Sequence, residues 1–152
     1  IKNLLEAVMA QAQYDQDFAA WTAEQSRLLR EGRLVELDIA HLAEEIEDMG
    51  KNNQRALLSR MQELLLHLLK WQYQPGRRGN SWRASIRKQR QGIEDLLEDS
   101  PSLQPRLAAT YEKCYARARL DAADETGLAL TTLAEACPWS LNDVLDQAWL
   151  PD

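Results

Sequence analysis

The fifteen residues LLSRMQELLLHLLKW, from Leu57 to Trp71, decide the fold of this chain. Their apolar side chains recur at helical spacing and form an arc so wide that other helices must surround it. Its most apolar part, from Leu64 to Trp71, is broken by His67 and Lys70 and is much shorter than the roughly 18–20 apolar residues that a membrane-spanning helix needs. The stretch therefore predicts the central, buried helix of a soluble protein, extending over about residues 53–73.

The rest of the sequence has the same helical period and lacks the alternation typical of β-strands, so we predict an all-α fold. We expect a single bundle of five to six helices with a short C-terminal helix packed across it. The other helices are predicted over about residues 15–30, 35–49, 81–97, 105–125 and 140–145. Asp15, Ser81 and Ser140 are the predicted N-caps. Residues 1–13 are expected to form an N-terminal arm or short helix, and residues 14–152 a single domain.

The helix predicted over residues 35–49 carries a narrow apolar seam. Its members follow one another at alternating spacings of four and three residues: Val35, Ile39, Leu42, Ile46 and Met49. Such a seam is expected to face the core, and Gly50 is predicted to end the helix. A turn at Gly50 and Lys51 would fold this helix back along the central helix as an antiparallel hairpin.

The charge is unevenly distributed along the chain. The formal net charge is −6, from 18 basic and 24 acidic residues, yet the segment between Glu63 and Glu94 has seven basic residues and no acid. A basic segment in an acidic chain can bind a polyanion or pair with the chain's own carboxylates. Because the field of the whole protein repels phosphate, nucleic acid is an unlikely partner.

A stripe of arginines lies within this basic segment. Arg83, Arg87 and Arg90 fall at positions i, i+4 and i+7 of one predicted helix, with Trp82 adjacent. Guanidinium groups bind carboxylates or phosphates through paired hydrogen bonds, so this stripe is a candidate binding site.

Two hypotheses follow for the arginine stripe. In the first, the arginines pair inside the protein with Asp38, Glu45 or Glu125 and fix which helices pack together. In the second, the loop and helix over residues 77–90 form a groove for an anion or a single-stranded nucleic acid, with Trp71, Trp82 and Tyr73 available for stacking.

A second candidate cluster combines carboxylates with imidazoles. Helical projection places Asp38, His41 and Glu45 in one stripe beside the apolar seam, and Glu63 and His67 lie one turn apart on the central helix. These residue types suit a metal site or acid–base catalysis. In the predicted hairpin the two imidazoles would be roughly 9 Å apart along the helix axis, which is too far to share an ion. We therefore predict no metal and no cofactor.

Nothing in the sequence supports nucleophilic catalysis, so an enzyme is less expected than a binding protein. No GxGxxG, GxxxxGK[ST], HExxH or GxSxG motif occurs. Cys114 and Cys137 have no CxxC spacing, are predicted to be buried, and are consistent with a cytoplasmic protein.

An ordered series of landmarks resembles a known family. The landmarks are Tyr14, Asp15, Asp17, Phe18 and Trp21; LLREGR at 28–33; Asp38; LAEEI at 42–46; HLLKW at 67–71; Ser81 and Trp82; Ile86, Arg87 and Arg90; Pro101 to Leu103; ETGL at 125–128; and Cys137 with Pro138. Over about residues 14–151 the chain closely resembles the bacterial domain-of-unknown-function 29 family. The resemblance implies a small cytoplasmic all-helical domain and carries over no activity, ligand or catalytic residue.

The leading functional prediction is an uncharacterised cytoplasmic protein that acts as a non-catalytic protein-interaction module. Its partner is an unknown protein, a homodimer is compatible with the helical seams, and no membrane partner is expected. The alternative is anion or nucleic-acid binding through residues 77–90. A metal-dependent enzyme using Asp38, His41, Glu63 and His67 ranks third.

Overall fold

A computed structural model describes residues 2–152, and this part of the chain is helical and has no β-strand. The structure confirms the all-α class and the short helix near the C-terminus. Its six α-helices are α1 (Lys2–Gln16), α2 (Phe18–Arg30), α3 (Ile39–Tyr73), α4 (Asn80–Asp99), α5 (Gln104–Thr126) and α6 (Leu141–Leu145). None of the described helices is long and apolar enough to cross a membrane.

The chain divides into two compact units, an N-terminal unit of Ile1–Lys51 and a C-terminal unit of Asn52–Asp152. The N-terminal unit contains α1, α2 and the first part of α3. The C-terminal unit contains the rest of α3 and the helices α4, α5 and α6. The assignment of residues 14–152 to a single domain stays a prediction.

In the N-terminal unit, α1 and α2 meet at Asp17. The Asp17 carboxylate accepts a hydrogen bond of 3.0 Å from the backbone N–H of Ala20, so Asp17 is the N-cap of α2. The predicted cap at Asp15 is wrong because α1 continues to Gln16. Gly32 follows the end of α2, and its φ of +68° lies in the left-handed region that favours glycine.

The predicted turn at Gly50 and Lys51 is wrong. Helix α3 runs unbroken from Ile39 to Tyr73, so the two helices predicted over residues 35–49 and 53–73 are one element and form no antiparallel hairpin. A glycine inside a helix costs only about 1 kcal/mol relative to alanine, and the good helix formers on both sides of Gly50 compensate for this cost.

The inward seam predicted over residues 35–49 is also wrong. Val35 is 90% exposed, Ile39 is 68% exposed, and Ile46 and Met49 are each 66% exposed. The side chains of α1 and α2 instead contact α3 on the side of Glu45, about a quarter turn away from the seam. Helical period identified the apolar face correctly, but it could not show that no element of the described chain covers this face.

The core of the C-terminal unit is built around α3, as the sequence predicts. Leu57, Met61, Leu64, Leu65 and Leu68 of α3 are fully buried. Around them pack α4, through residues including Ile86 and Ile93, and α5, through residues including Leu107 and Tyr115. This arrangement confirms residues 57–71 as the central, buried helical segment of this unit.

The C-terminal segment closes over this core. Ser140 caps α6 as predicted, because its Oγ accepts a hydrogen bond of 3.1 Å from the N–H of Asp143. Val144 is fully buried, and Trp149 packs against the core. At α4 the prediction fails: the N-cap is Gly79, which makes no side-chain capping bond, and Ser81 lies inside the helix.

Candidate functional site

The predicted arginine stripe lines a cleft in the C-terminal unit. The cleft has a volume of about 750 Å³ and lies between α4 and the segment that follows α6. Arg83, Arg87 and Arg90 all line it, and Gln147 and Leu150 contribute from the C-terminal segment. The structure therefore brings the three predicted arginines to one concave surface. Trp82 does not line this cleft; it is half-buried and packs against the core.

Arg90 is the buried member of the stripe, with only 3% of its surface exposed. Its Nε donates a hydrogen bond of 2.7 Å to the carbonyl oxygen of Val144, and its Nη2 donates one of 2.8 Å to that of Trp149. In the described chain no carboxylate forms an ion pair with this guanidinium. Burial lowers the pKa of Arg90, although the nearby charge of Asp146 opposes that shift.

Arg83 makes a different kind of contact. Its guanidinium lies over the ring of Trp71, with Cζ 4.8 Å from the ring centroid, and Arg78 lies over the same ring at 5.2 Å. Arg78 also donates from Nε to the backbone carbonyl of Trp71 at 2.7 Å. Trp71 itself is buried, so its ring is not available to stack on a nucleic-acid base.

The internal ion pairs predicted for the stripe are not made. Within residues 2–152, Arg83, Arg87 and Arg90 form no ion pair with any carboxylate. The carboxylate of Glu125 pairs instead with Lys70, whose Nζ lies 2.6 Å away. The guanidinium of Arg90 donates its hydrogen bonds to backbone carbonyls, which are neutral and do not compensate its positive charge.

The second predicted cluster forms in the N-terminal unit, where α1, α2 and α3 meet. One carboxylate oxygen of Asp38 lies 2.7 Å from Nδ1 of His41 and accepts a hydrogen bond of 2.9 Å from Nε1 of Trp21. The hydroxyl of Tyr14 donates to Glu45 at 2.6 Å, and the Tyr14 ring stacks on His41 with the ring centroids 3.9 Å apart.

This aromatic and acidic cluster, formed by Tyr14, Trp21, Asp38, His41 and Glu45, connects the three helices. The hydrogen bond to Glu45 raises the pKa of Tyr14 to about 12, with smaller contributions from burial and from neighbouring carboxylates. The side chain of Gln25, which is buried, accepts a hydrogen bond of 2.8 Å from the backbone N–H of Asp38. Since the polar groups of the cluster bind one another, the cluster holds α1 and α2 against α3.

His67 does not join the His41 cluster. It lies in the C-terminal unit, and its Nδ1 is 2.9 Å from the carbonyl oxygen of Glu63 and 3.6 Å from the Glu63 carboxylate. Among residues 2–152, no group of three or more histidine, cysteine, aspartate or glutamate side chains is arranged to hold a metal ion.

Sequence reasoning missed how deeply Arg90 is buried. The neighbouring Gln89 is only half-buried and accepts a hydrogen bond of 3.2 Å from Arg60. The signal was present, since Arg90 follows Ile86 by four residues and precedes Ile93 by three, which places it within the seam. The contribution of Gln147 to the cleft had no sequence signal.

Comparison with known proteins identifies the family. A family model described as "Domain of unknown function DUF29" matches residues 13–150, which is nearly the whole chain. The chain therefore belongs to the DUF29 family, as its ordered landmarks predict. No curated protein and no solved structure matches it.

Proposed function

We propose that this protein is a non-catalytic protein-interaction module whose N-terminal unit binds a helix of another protein. The observation that carries the proposal is the exposure of large apolar side chains in that unit. Exposed residues of this kind occur on α1, just before α3 and along the seam of α3: Leu4, Leu5, Val8, Met9, Val35, Ile39, Ile46 and Met49. Large apolar side chains that are exposed in such numbers are typical of an interaction site.

The C-terminal unit provides the contrast. Leu120 and Leu130 are its only large apolar residues that are strongly exposed. The N-terminal unit, in turn, buries few side chains in α2, namely Trp21, Gln25 and Leu28. Apolar surface is thus concentrated in one unit, which supports a partner that covers it.

The spacing on α3 favours a helical partner. Ile39, Leu42, Ile46 and Met49 occupy alternate a and d positions of a heptad repeat, and Asn53 takes the following a position. Isoleucine at a with leucine or methionine at d is the pattern by which one helix packs side by side with another. On α3 this pattern is solvent-exposed, so a second helix can bind along it.

Charge indicates which kind of helix would bind. The N-terminal unit has five basic and eleven acidic residues, so its formal charge of −6 equals that of the whole chain. Glu44, Glu47 and Asp48 are exposed on α3 and form no ion pair within the described residues. A second copy of this unit would bring like charges together, whereas a basic amphipathic helix would complement them. We therefore assign the partner as a helix with an apolar face bordered by lysine or arginine.

The test uses two synthetic helical peptides of about three heptads (~20 residues) with leucine at every a and d position. One has lysine and the other glutamate at the e and g positions. Isothermal titration calorimetry is expected to show binding of the lysine peptide only. Ile46→Glu should weaken this binding at least about tenfold, because an isoleucine side chain buried at the interface is worth roughly 1.5–3 kcal/mol.

Leu120→Glu is the matched control, because Leu120 is similarly exposed, at 53%, but lies in the C-terminal unit. It should bind the lysine peptide like the wild-type protein. Equal loss in both variants, or no binding of the lysine peptide, would overturn the proposal. Sedimentation equilibrium tests whether a second copy of this chain occupies the surface instead. If the wild-type protein is a dimer and Ile46→Glu is a monomer, the surface belongs to a homodimer interface.

A further inference from the structure

We infer that the arginine-lined cleft of the C-terminal unit is a binding site for a small organic molecule that carries a diphosphate group. The site uses Arg83, Arg87 and Arg90 of α4 together with Gln147 of the C-terminal segment. It shares no residue with the apolar surface of the N-terminal unit and does not depend on the function proposed there.

The buried guanidinium of Arg90 is the first argument. A buried charge is expensive unless it is paired with an opposite charge. Arg90 is 97% buried, binds two neutral carbonyls, and forms no ion pair in the described chain. Its third nitrogen, Nη1, has no hydrogen-bond partner among residues 2–152, and the residue lines the cleft. The charge of Asp146 is nearby but forms no ion pair with Arg90, so an anion in the cleft would add a directly bound negative charge and accept from the free N–H groups of Nη1.

The geometry of the stripe is the second argument. Arg87 is one helical turn, about 5.4 Å, from Arg83, and Arg90 lies one further turn along the same face. Arg83 and Arg87 are exposed and Arg90 is buried, and all three side chains line the same cleft. A single carboxylate would leave most of this charge unpaired. Two linked phosphate groups match both the charge and the repeat of guanidinium groups along the helix.

The remaining cleft residues indicate an organic body on the ligand. A volume of about 750 Å³ lies within the range of small-molecule sites and exceeds what a diphosphate alone would fill. Ala84, Ile86 and Leu150 provide apolar lining, and Asn80 and Gln91 provide neutral hydrogen-bonding groups. The cleft therefore suits a diphosphate ester whose organic part contacts these side chains.

A long nucleic acid fits the same structure less well. The C-terminal unit has thirteen basic and thirteen acidic residues, so it has no net positive charge that would attract a long polyanion. The face of Trp71, which could have stacked on a base, is covered by Arg78 and Arg83. Phosphate contacts along a strand and aromatic stacking, the two features of single-strand binding proteins, are both limited here.

The test is isothermal titration calorimetry of the full chain with inorganic pyrophosphate, with orthophosphate and with a single-stranded oligonucleotide, each at low and moderate salt. We expect pyrophosphate to bind with a stoichiometry of one, at least about tenfold more tightly than orthophosphate, and more weakly at the higher salt concentration. The oligonucleotide is expected to bind more weakly than pyrophosphate.

Variants make the test specific to the cleft. Arg87→Gln should weaken pyrophosphate binding at least about tenfold, because it removes one guanidinium group from an exposed position without disturbing the core. Arg106→Gln, at an exposed position of α5 outside the cleft, is the matched control and should bind like the wild-type protein. Both variants are expected to give wild-type circular dichroism spectra.

Three results would overturn the inference. They are no pyrophosphate binding at low salt, equal weakening by Arg87→Gln and Arg106→Gln, or tight oligonucleotide binding that pyrophosphate does not displace. The last result would assign the stripe to nucleic acid. None of these outcomes bears on the peptide-binding test of the N-terminal unit, so the two proposals fail separately.

Discussion

Replacing Arg90 with methionine tests whether this buried side chain holds the C-terminal segment in place. Methionine retains much of the aliphatic volume of arginine but has no donor for the carbonyls of Val144 and Trp149, which Arg90 binds at 2.7 and 2.8 Å. We expect the variant to fold with its C-terminal segment loosened and its stability reduced.

The magnitude follows from where the two carbonyls lie. Val144 is fully buried, so its carbonyl would lose its partner without gaining water, at a cost of roughly 1–3 kcal/mol. Trp149 is half-buried, so water can partly replace the hydrogen bond to its carbonyl. Losing this bond should cost roughly 0.5–1.5 kcal/mol of unfolding free energy. Together these losses amount to about 3 kcal/mol, or a decrease in Tm of about 6–12 °C for a chain of this size.

Thermal unfolding followed by circular dichroism measures the loss, and hydrogen exchange locates it. The amides of Val144, Asp146 and Trp149, which donate within the C-terminal segment, should exchange faster in Arg90→Met while those of α5 do not. Arg87→Met is the control: it lies on the same stripe but is exposed, so its stability should stay within about 0.5 kcal/mol of wild type. If Arg90→Met is as stable as wild type, desolvating the guanidinium costs as much as its two hydrogen bonds return, and the anchoring role is refuted.

Three further predictions concern other parts of the chain. Gly127→Ala should destabilise the protein by about 1–2 kcal/mol in urea unfolding, because Gly127 has a φ of +72°. Gly50→Ala should stabilise it by about 0.5–1 kcal/mol, because Gly50 lies inside α3. Asp38→Asn removes the charged acceptor of the indole N–H of Trp21, so we expect the Trp21 fluorescence to shift and the unit to lose about 1–3 kcal/mol. Burial raises the pKa of Tyr115 to about 12. The stability that the protonated Tyr115 contributes should therefore be complete below pH ~10 and be lost as the pH rises to ~12. Ultraviolet titration of the phenolate, with unfolding measured in parallel, would show this loss.

The core of the C-terminal unit could be predicted from the sequence because it depends on periodicity alone. Leu57, Met61, Leu64 and Leu68 lie at spacings of three and four, and every one of them is fully buried. An apolar arc this wide has one low-energy solution in water, which is to be surrounded by other helices. Local signals therefore sufficed for this part of the fold.

The continuity of α3 could not be predicted by the same reasoning. A glycine followed by a lysine reads as a helix end, but the cost of Gly50 in a helix is small compared with the cost of ending a helix and starting another. Nor could periodicity show that Ile46 is exposed, because the pattern on one helix carries no information about which elements pack on it. Interactions between elements decide both questions.

The site shows the same division between local and tertiary information. Spacing alone placed Arg83, Arg87 and Arg90 on one face of a helix, and the structure confirms this. Their partners depend on how α4 packs against residues far away in the sequence: the carbonyl of Val144 is 54 positions from Arg90. Carboxylates were the expected partners because opposite charges attract, yet the packed structure provides neutral carbonyls.

The overall charge of the chain is a poor guide to what the cleft binds. At physiological salt the Debye length is about 8 Å, so exposed acids farther away than this contribute little to the potential inside a cavity. A compact anion in the cleft would interact mainly with the arginines that line it, none of which forms an ion pair with a carboxylate in the described chain. A long polyanion would also meet the rest of a unit that has as many acidic as basic residues. An acidic protein can therefore bind a small phosphate ester while it repels nucleic acid, and salt should weaken pyrophosphate binding much less steeply than the binding of an extended strand.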